Sequence, residues 1–258
     1  MVNAVPVLTP EQRAVADQFA RFAARFSTTI GFVPRQGDAT IERLNSATIS
    51  LLRLSGKPWG VTNYHVIDAL RERTKLEPMV CQLGNAQVDV LERLHSESAK
   101  YDLAVVDLSG VDPSNFRDKD SDLPCQFHEP RQWPPVRPNI GQFVAFVGFA
   151  ASKRIHLGKN HFEFGAVCSG ASEVISVQED VITCQFNIDK CVVSFDRDGK
   201  GLEDVAGMSG GPVFIQRTSP GGVDILDFSG VIFEHHSEWD TLRIRPGSLI
   251  DGDGRVIA

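Results

Sequence analysis

The stretch Gly207-Met208-Ser209-Gly210-Gly211-Pro212-Val213 places a serine on a tight turn flanked by glycines. Such a turn exposes the hydroxyl and directs the backbone N–H groups of Gly207 and Ser209 toward one point. The nucleophile of an acyl-transfer reaction needs this arrangement, because an oxyanion develops beside the attacked carbon. An ordinary glycine-rich turn before a strand at Pro212–Gln216 has the same pattern, so the turn alone leaves both interpretations open.

A candidate general base and a candidate acid lie upstream of this turn. The base is His65, in Thr62-Asn63-Tyr64-His65-Val66-Ile67, after an apolar strand and at the start of a predicted helical turn. The acid is Asp102, in Tyr101-Asp102-Leu103-Ala104-Val105-Val106-Asp107-Leu108, at the start of a predicted buried strand. Histidine is the usual general base at neutral pH, and a buried carboxylate can fix its tautomer.

Each of these residues also has a purely structural interpretation. His65 would then be a hydrogen-bonded histidine at a strand end, and Asp102 would cap a helix or a turn. Asp107 competes with Asp102 for the role of the acid. Because it lies five positions later, it would point to the opposite face of a regular strand.

The order His65, Asp102, Ser209 is that of the chymotrypsin-like double β-barrel. With T-N-x-H-V at 62–66, D-L-A-V at 102–105 and G-x-S-G-G-P-V at 207–213, the chain resembles the trypsin-like serine peptidases, most closely the bacterial HtrA-like branch, over roughly residues 45–250. The resemblance implies an all-β fold of two six-stranded antiparallel β-barrels. It also implies a catalytic triad of these three residues and an oxyanion hole formed by the N–H groups of Gly207 and Ser209.

The resemblance also bears on specificity and activation. Glu203 stands six positions before the serine, where trypsin-like enzymes have the base of the primary pocket, and Phe233 and Glu234 fall on the strand that lines its wall. A buried Glu203 would favour Lys or Arg in the substrate, whereas a solvated Glu203 would have little effect. Secreted trypsins have an aspartate before the serine that receives a new terminal amine. Here that residue is Met208, so activation by this ion pair is not expected.

Composition fits a soluble globular protein. The chain has 258 residues, of which 42% are hydrophobic and 23% are charged. Its net charge of −7 argues against nucleic acid as a main partner. No apolar run approaches a membrane span and no signal peptide is apparent, so we expect a cytoplasmic protein with reduced cysteines. The pattern predicts neither a metal ion nor a cofactor.

The predicted organisation is an N-terminal helical extension and linker at 1–44, with the linker at Gly31–Arg43, followed by a peptidase domain at 45–258 without a PDZ domain. Within the domain, the first barrel is expected at about 45–110, a crossing segment at about 111–140 and the second barrel at about 141–250. Residues 9–26 read as an amphipathic helix with Val15, Phe19, Phe22 and Phe26 on one face. That face could pack on the barrels or dock to a partner protein.

These features predict a serine endopeptidase that acts on a protein or peptide substrate. One alternative is a non-catalytic binding module that keeps the trypsin-like fold. Another is a protease effector that stays silent until a partner or a stress signal activates it.

Overall fold

The computed structural model describes residues 18, 21–35, 45–117, 124–158, 161–188, 191–193, 202, 204–218 and 224–257. This part of the chain consists mostly of β-strands arranged in two seven-stranded antiparallel sheets. Among the described residues, no helix is both long enough and apolar enough to cross a membrane.

The first sheet has the strand order β5-β4-β1-β2-β3-β7-β6. Its strands are β1 (Ser27–Pro34), β2 (Asn45–Leu54), β3 (Lys57–Thr62), β4 (Met79–Leu83), β5 (Ala86–Gln87), β6 (Leu94–Ser98) and β7 (Leu103–Asp107). The closed six-stranded barrel expected for this half of the chain does not form, because no strand pairing among the described residues joins the edge strands β5 and β6. After only two residues of β5 the chain leaves the sheet and turns Val88 and Val90 into the core.

A helix, α1 (Tyr64–Leu76), follows β3 directly and carries His65 in its first turn. Val66, Ile67 and Leu70 form its buried stripe, at the spacing of an amphipathic helix. The helix ends before Pro78, a residue type that disfavours helical backbone in the residue before it. The predicted helical turn after His65 is therefore confirmed.

The second sheet closes into a six-stranded barrel, because β9 pairs with β10 as well as with β8. Its order is β10-β14-β13-β12-β8-β9, with β11 attached to the outer side of β9. The strands are β8 (Phe143–Gly158), β9 (His161–Val177), β10 (Ile182–Gln185), β11 (Val192–Val193), β12 (Pro212–Thr218), β13 (Asp224–His236) and β14 (Thr241–Pro246). The six-stranded barrel predicted for this half is present.

The N-terminal extension differs from its predicted form. Of the helix predicted at 9–26, residues 9–17 and 19–20 lie outside the described part, residues 21–24 are helical and Phe26 lies in a turn. The segment Gly31–Arg43 was expected to be a linker, and the first barrel was expected to begin at about residue 45. Instead β1 starts at Ser27, pairs with β2 on one edge and with β4 on the other, and is buried along its whole length.

The apolar core falls mainly into three clusters. One lies inside each sheet, and a third lies between them, with Leu52 and Trp59 from the first sheet against Phe214 and Phe228 from the second. Phe26 is 5% exposed and packs into this third cluster. The end of the N-terminal extension is thus part of the packing between the sheets.

Candidate active site

The serine turn has a backbone that only glycine adopts without strain. Gly207 and Gly210 have φ angles of +90° and +87°. A Cβ at Gly207 would lie 2.7 Å from the carbonyl oxygen of Phe149, and one at Gly210 would lie 2.1 Å from that of Thr48. Both glycines are therefore needed for their conformation and for close approach to neighbouring backbone, which belongs to β8 for Gly207 and to β2 for Gly210.

Strand β2 of the first sheet holds this turn through three hydrogen bonds. The Thr48 N–H donates to the Ser209 carbonyl at 2.9 Å, and the Thr48 hydroxyl donates to the Gly207 carbonyl at 2.9 Å. The Ser50 hydroxyl donates to the Gly210 carbonyl at 2.7 Å. The nucleophile candidate belongs to the second sheet, but the first sheet fixes its position.

The backbone N–H groups of Gly207 and Ser209 have no hydrogen-bond acceptor within the described part of the chain. By contrast, Met208, Gly210 and Gly211 all donate their N–H groups to backbone carbonyls. Two neighbouring backbone donors without an internal partner are what an oxyanion hole requires. These are the two groups that the sequence analysis assigned to an oxyanion hole, and that role stays a prediction.

His65 and Asp102 lie in direct contact. The His65 Nδ1 and the Asp102 Oδ2 are 2.8 Å apart, and the His65 backbone N–H donates to Asp102 Oδ1 at 2.9 Å. This N–H belongs to the first turn of α1, whose N-terminal donors need external acceptors. One carboxylate therefore fixes the imidazole and caps its helix. The imidazole side chain is 51% exposed and the carboxylate side chain 21%.

The carboxylate of Asp102 owes its direction to an unusual backbone conformation. Asp102 has a φ of +50°, in the left-handed region that non-glycine residues rarely enter. The Asn63 side-chain amide donates to the Asp102 carbonyl at 2.8 Å and holds it there. Asn63 is fully buried, and its side chain does not cap α1 although it stands at the N-cap.

The competing acid, Asp107, points elsewhere. Its carboxylate accepts from the Ser109 N–H at 2.7 Å, and the hydrogen bonds from Ser109 lower the pKa of Asp107. No hydrogen bond between Asp107 and His65 occurs among the described residues. The geometry therefore favours Asp102 as the group that orients the imidazole.

The serine turn of the second sheet lies beside the end of β3, the strand that leads to His65. The Thr62 hydroxyl donates to the Thr48 carbonyl at 2.8 Å, and Thr48 in turn holds Ser209. Thr62 ends β3, three residues before His65, so the serine turn abuts the segment that carries the imidazole. Within the described contacts, no hydrogen bond joins the Ser209 hydroxyl to the His65 ring.

The predicted pocket wall carries a cationic cluster. Phe233 lies beneath two guanidinium groups, with the Cζ atoms of Arg245 and Arg243 at 3.9 Å and 5.1 Å from its ring centre. Arg243 Nη1 donates to the Glu234 carboxylate at 2.6 Å. Arg245 is 8% exposed and bonds Asp180; burial lowers the pKa of its guanidinium and Asp180 opposes the change. Glu203, the predicted pocket base, lies outside the described residues.

Sequence inspection missed several residues that shape this site. Thr48, Ser50 and Asn63 sit in strands or at a helix start, where their residue types are common, and only their distant partners reveal their roles. The alternating arginines at 243 and 245 were a usable signal, since a strand that carries charge on alternate positions presents it on one face.

Among the described residues, no group of three or more His, Cys, Asp or Glu side chains could hold a metal ion. Within the described part of the chain, none of the five cysteines forms a disulfide bond. Burial raises the pKa of Cys81 and Cys184 to about 12, so these two thiols are poor nucleophiles.

No family model matches the sequence, and no curated protein matches it. Solved structures similar to this chain include Deg5, at 13% identity and a TM-score of 0.45, which covers 93% of this chain and 92% of that one. They also include a Glu endopeptidase, at 13% identity and a TM-score of 0.45, with 87% and 88% covered. A third is a scabies mite inactivated protease paralogue, at 13% identity and a TM-score of 0.46, with 89% and 92% covered. None of these likenesses gives a residue of this chain a role.

Proposed function

We propose that this chain is a serine endopeptidase that hydrolyses peptide bonds through Ser209, His65 and Asp102. The observation that carries the proposal is the imidazole of His65, held by a carboxylate at 2.8 Å, beside a docked serine turn. A histidine oriented by an acid next to a serine is the arrangement that acyl transfer uses. Residues distant in sequence and on different sheets supply these parts.

In the proposed reaction, His65 Nε2 takes the proton of the Ser209 hydroxyl as the oxygen attacks the substrate carbonyl. The N–H groups of Gly207 and Ser209 bind the oxyanion of the tetrahedral intermediate. His65 then gives the proton to the leaving amine, and an acyl group remains on Ser209. A water molecule, deprotonated by the same imidazole, releases the acid product and restores the hydroxyl.

A substrate strand has a natural place to pair. Strand β13 bonds β12 only as far as Val231, and Ile232 then bonds Gly210 and Gly211 of the serine turn. The backbone of Phe233 and Glu234 continues beyond this point with β14 on one side. An extended peptide laid along the other edge would pass beside Ser209, which supports an endopeptidase that binds its substrate as an added strand.

The second candidate is a protease effector that stays silent until a partner or signal activates it. The observation that favours it is the missing hydrogen bond between the Ser209 hydroxyl and the His65 ring among the described contacts. Catalytic hydrogen bonds are often long before substrate binds, so this geometry is compatible with both candidates.

Incubation of the purified chain with a mixed peptide library, followed by mass spectrometry, tests the proposal. We expect internal cleavages with the wild type and with Ser237→Ala, a serine substitution away from the turn, and none with Ser209→Ala. Equal cleavage by wild type and Ser209→Ala would overturn the assignment. An inert wild type that becomes active when cell extract is added, only with Ser209 present, would favour the silent effector.

A further inference from the structure

Every backbone carbonyl group from Ala206 to Gly210 in the serine turn accepts a hydrogen bond, and the Thr48 side chain of the first sheet donates one of them. The carbonyls of Ala206 and Met208 accept from Ala151 N–H at 2.6 Å and Gly211 N–H at 2.9 Å. Those of Gly207, Ser209 and Gly210 accept from Thr48 and Ser50, as described above. Because a peptide N–H points away from the carbonyl of the preceding residue, pinning Ala206 and Met208 directs the N–H groups of Gly207 and Ser209 outward.

Thr48 is the centre of this arrangement. Its hydroxyl donates to the Gly207 carbonyl and accepts from the Phe149 N–H, both at 2.9 Å, which uses the one donor and one of the two acceptor sites of a hydroxyl. The side chain is fully buried, so water cannot replace either bond. Thr48 thus ties β2, the serine turn and β8 at one point. Its carbonyl also receives the Thr62 hydroxyl, which links the turn to the segment that leads to His65.

Met208, the residue before the serine, holds the turn by apolar packing, at the position where secreted trypsins have an aspartate that forms an ion pair. Met208 is fully buried in the core of the second barrel, and a Cβ at Gly148 would lie 2.8 Å from the Met208 Cβ. A methionine there cannot hold the turn by charge. The turn is therefore held by packing on one side and by the Thr48 hydroxyl on the other.

We infer that Thr48 is a positioning residue for the oxyanion hole: its hydroxyl fixes the Gly207–Met208 peptide, which joins the two peptides that carry the Gly207 and Ser209 N–H groups, and so keeps both N–H groups directed at the substrate. This inference rests on the proposed function. It deepens that function by assigning a role to a side chain of the first sheet that does not touch substrate. A turn held in this way is ready before substrate binds.

Thr48→Val tests the inference, because valine keeps the branched shape and the backbone N–H bond to Ser209 while removing only the hydroxyl. We expect kcat on a peptide substrate to fall by about 10- to 100-fold, with KM changed by less than about 3-fold, since the lost contact matters in the transition state. Thr48→Ser, which restores a hydroxyl, should recover most of the rate. Ser172→Ala removes another buried hydroxyl, in the second barrel, and serves as the control for loss of buried polar contacts.

Hydrogen exchange gives a readout that does not need catalysis. The bonded N–H groups of Met208, Gly210 and Gly211 should exchange faster in Thr48→Val than in the wild type, and at nearly the wild-type rate in Thr48→Ser and Ser172→Ala. Unchanged kcat and unchanged amide exchange in Thr48→Val would overturn the inference. If the wild type is active in the same experiment, the proposed function still stands. If wild type and Ser209→Ala are equally inert, the proposed function fails, and the exchange of the turn alone decides whether Thr48 holds it.

Discussion

Substitution of Asp102 by asparagine should remove most of the activity while leaving the fold intact. The carboxylate now accepts two bonds from His65, at 2.8 Å from Nδ1 and at 2.9 Å from the backbone N–H. An amide has only one oxygen, and the backbone N–H always needs an acceptor, so the oxygen would keep that bond. The NH₂ group would then face Nδ1 and require its lone pair, which forces the ring proton onto Nε2.

The wrong tautomer leaves His65 unable to accept the Ser209 proton. The loss expected from this mechanism is about 10⁴-fold in kcat, or roughly 5.4 kcal/mol at 1.36 kcal/mol per tenfold. The assay is initial-rate hydrolysis of a peptide by each purified variant, with unfolding in denaturant measured in parallel. Because the amide oxygen keeps the bond from the His65 backbone N–H and the NH₂ group still bonds Nδ1, we expect the free energy of unfolding to change by only about 1 kcal/mol.

Asp107→Asn is the matched control, since it makes the same chemical change at the other end of β7. Its carboxylate bonds Ser109 rather than His65, so kcat should stay within about 3-fold of the wild type while stability falls by about 1 kcal/mol. A larger rate loss in Asp107→Asn than in Asp102→Asn would refute the assignment of the acid. Equal activity of Asp102→Asn and wild type would refute the role of the His65 tautomer.

Three further predictions concern stability and specificity. Gly210→Ala should lower the free energy of unfolding by about 3 kcal/mol or more in a denaturant titration, because its Cβ would lie 2.1 Å from the Thr48 carbonyl oxygen. The control Gly110→Ala is also at positive φ but has open space around it, so its free energy of unfolding should fall by only about 1 kcal/mol. Burial lowers the pKa of His128 to about 4 from an ordinary value of 6.5, so the unfolded chain binds the proton more readily and stability should fall as pH drops from 6.5 to 4, by up to about 3 kcal/mol. His128→Phe, which keeps the ring contacts with Phe26 and Phe214, should flatten this loss, and exposed His95→Gln should not; an unchanged slope in His128→Phe would show that another group titrates. Peptides with Arg before the cut should exceed those with Leu in kcat/KM, and Glu203→Gln should reduce that ratio by about tenfold or more; a wild-type preference for small aliphatic residues would contradict an acidic pocket.

The parts of the site that the sequence predicted share one property: their chemistry is visible in a short window. Gly207 and Gly210 flank a serine, and positive φ angles at both follow from residue type. His65 stands directly before an apolar helical stripe, and Asp102 directly before a buried strand. Each local pattern fixes the direction of the backbone at its residue. For His65 and Asp102, these directions bring Nδ1 and Oδ2 to 2.8 Å from each other.

The parts that escaped prediction depend on distant partners. Strand β1 has no alternating pattern because its side chains are buried on both faces of the sheet. Phenylalanines at helical spacing before it extended the predicted helix through Phe26. Gly31 and Pro34 then looked like linker residues. Thr48 is an ordinary strand threonine until its bond to Gly207, 159 positions away, is known. No local rule identifies such a pair.

Covalent labelling with a fluorophosphonate tests the central claim most directly, because the reagent reacts with a serine only when a base activates it beside an oxyanion hole. Intact-mass measurement followed by peptide mapping should find one adduct per chain, on Ser209, in the wild type. His65→Ala should slow labelling by at least about 10³-fold, and Ser209→Ala should abolish it. An unlabelled wild type, or an adduct on another serine that persists in Ser209→Ala, would contradict the assignment of Ser209 as an activated nucleophile.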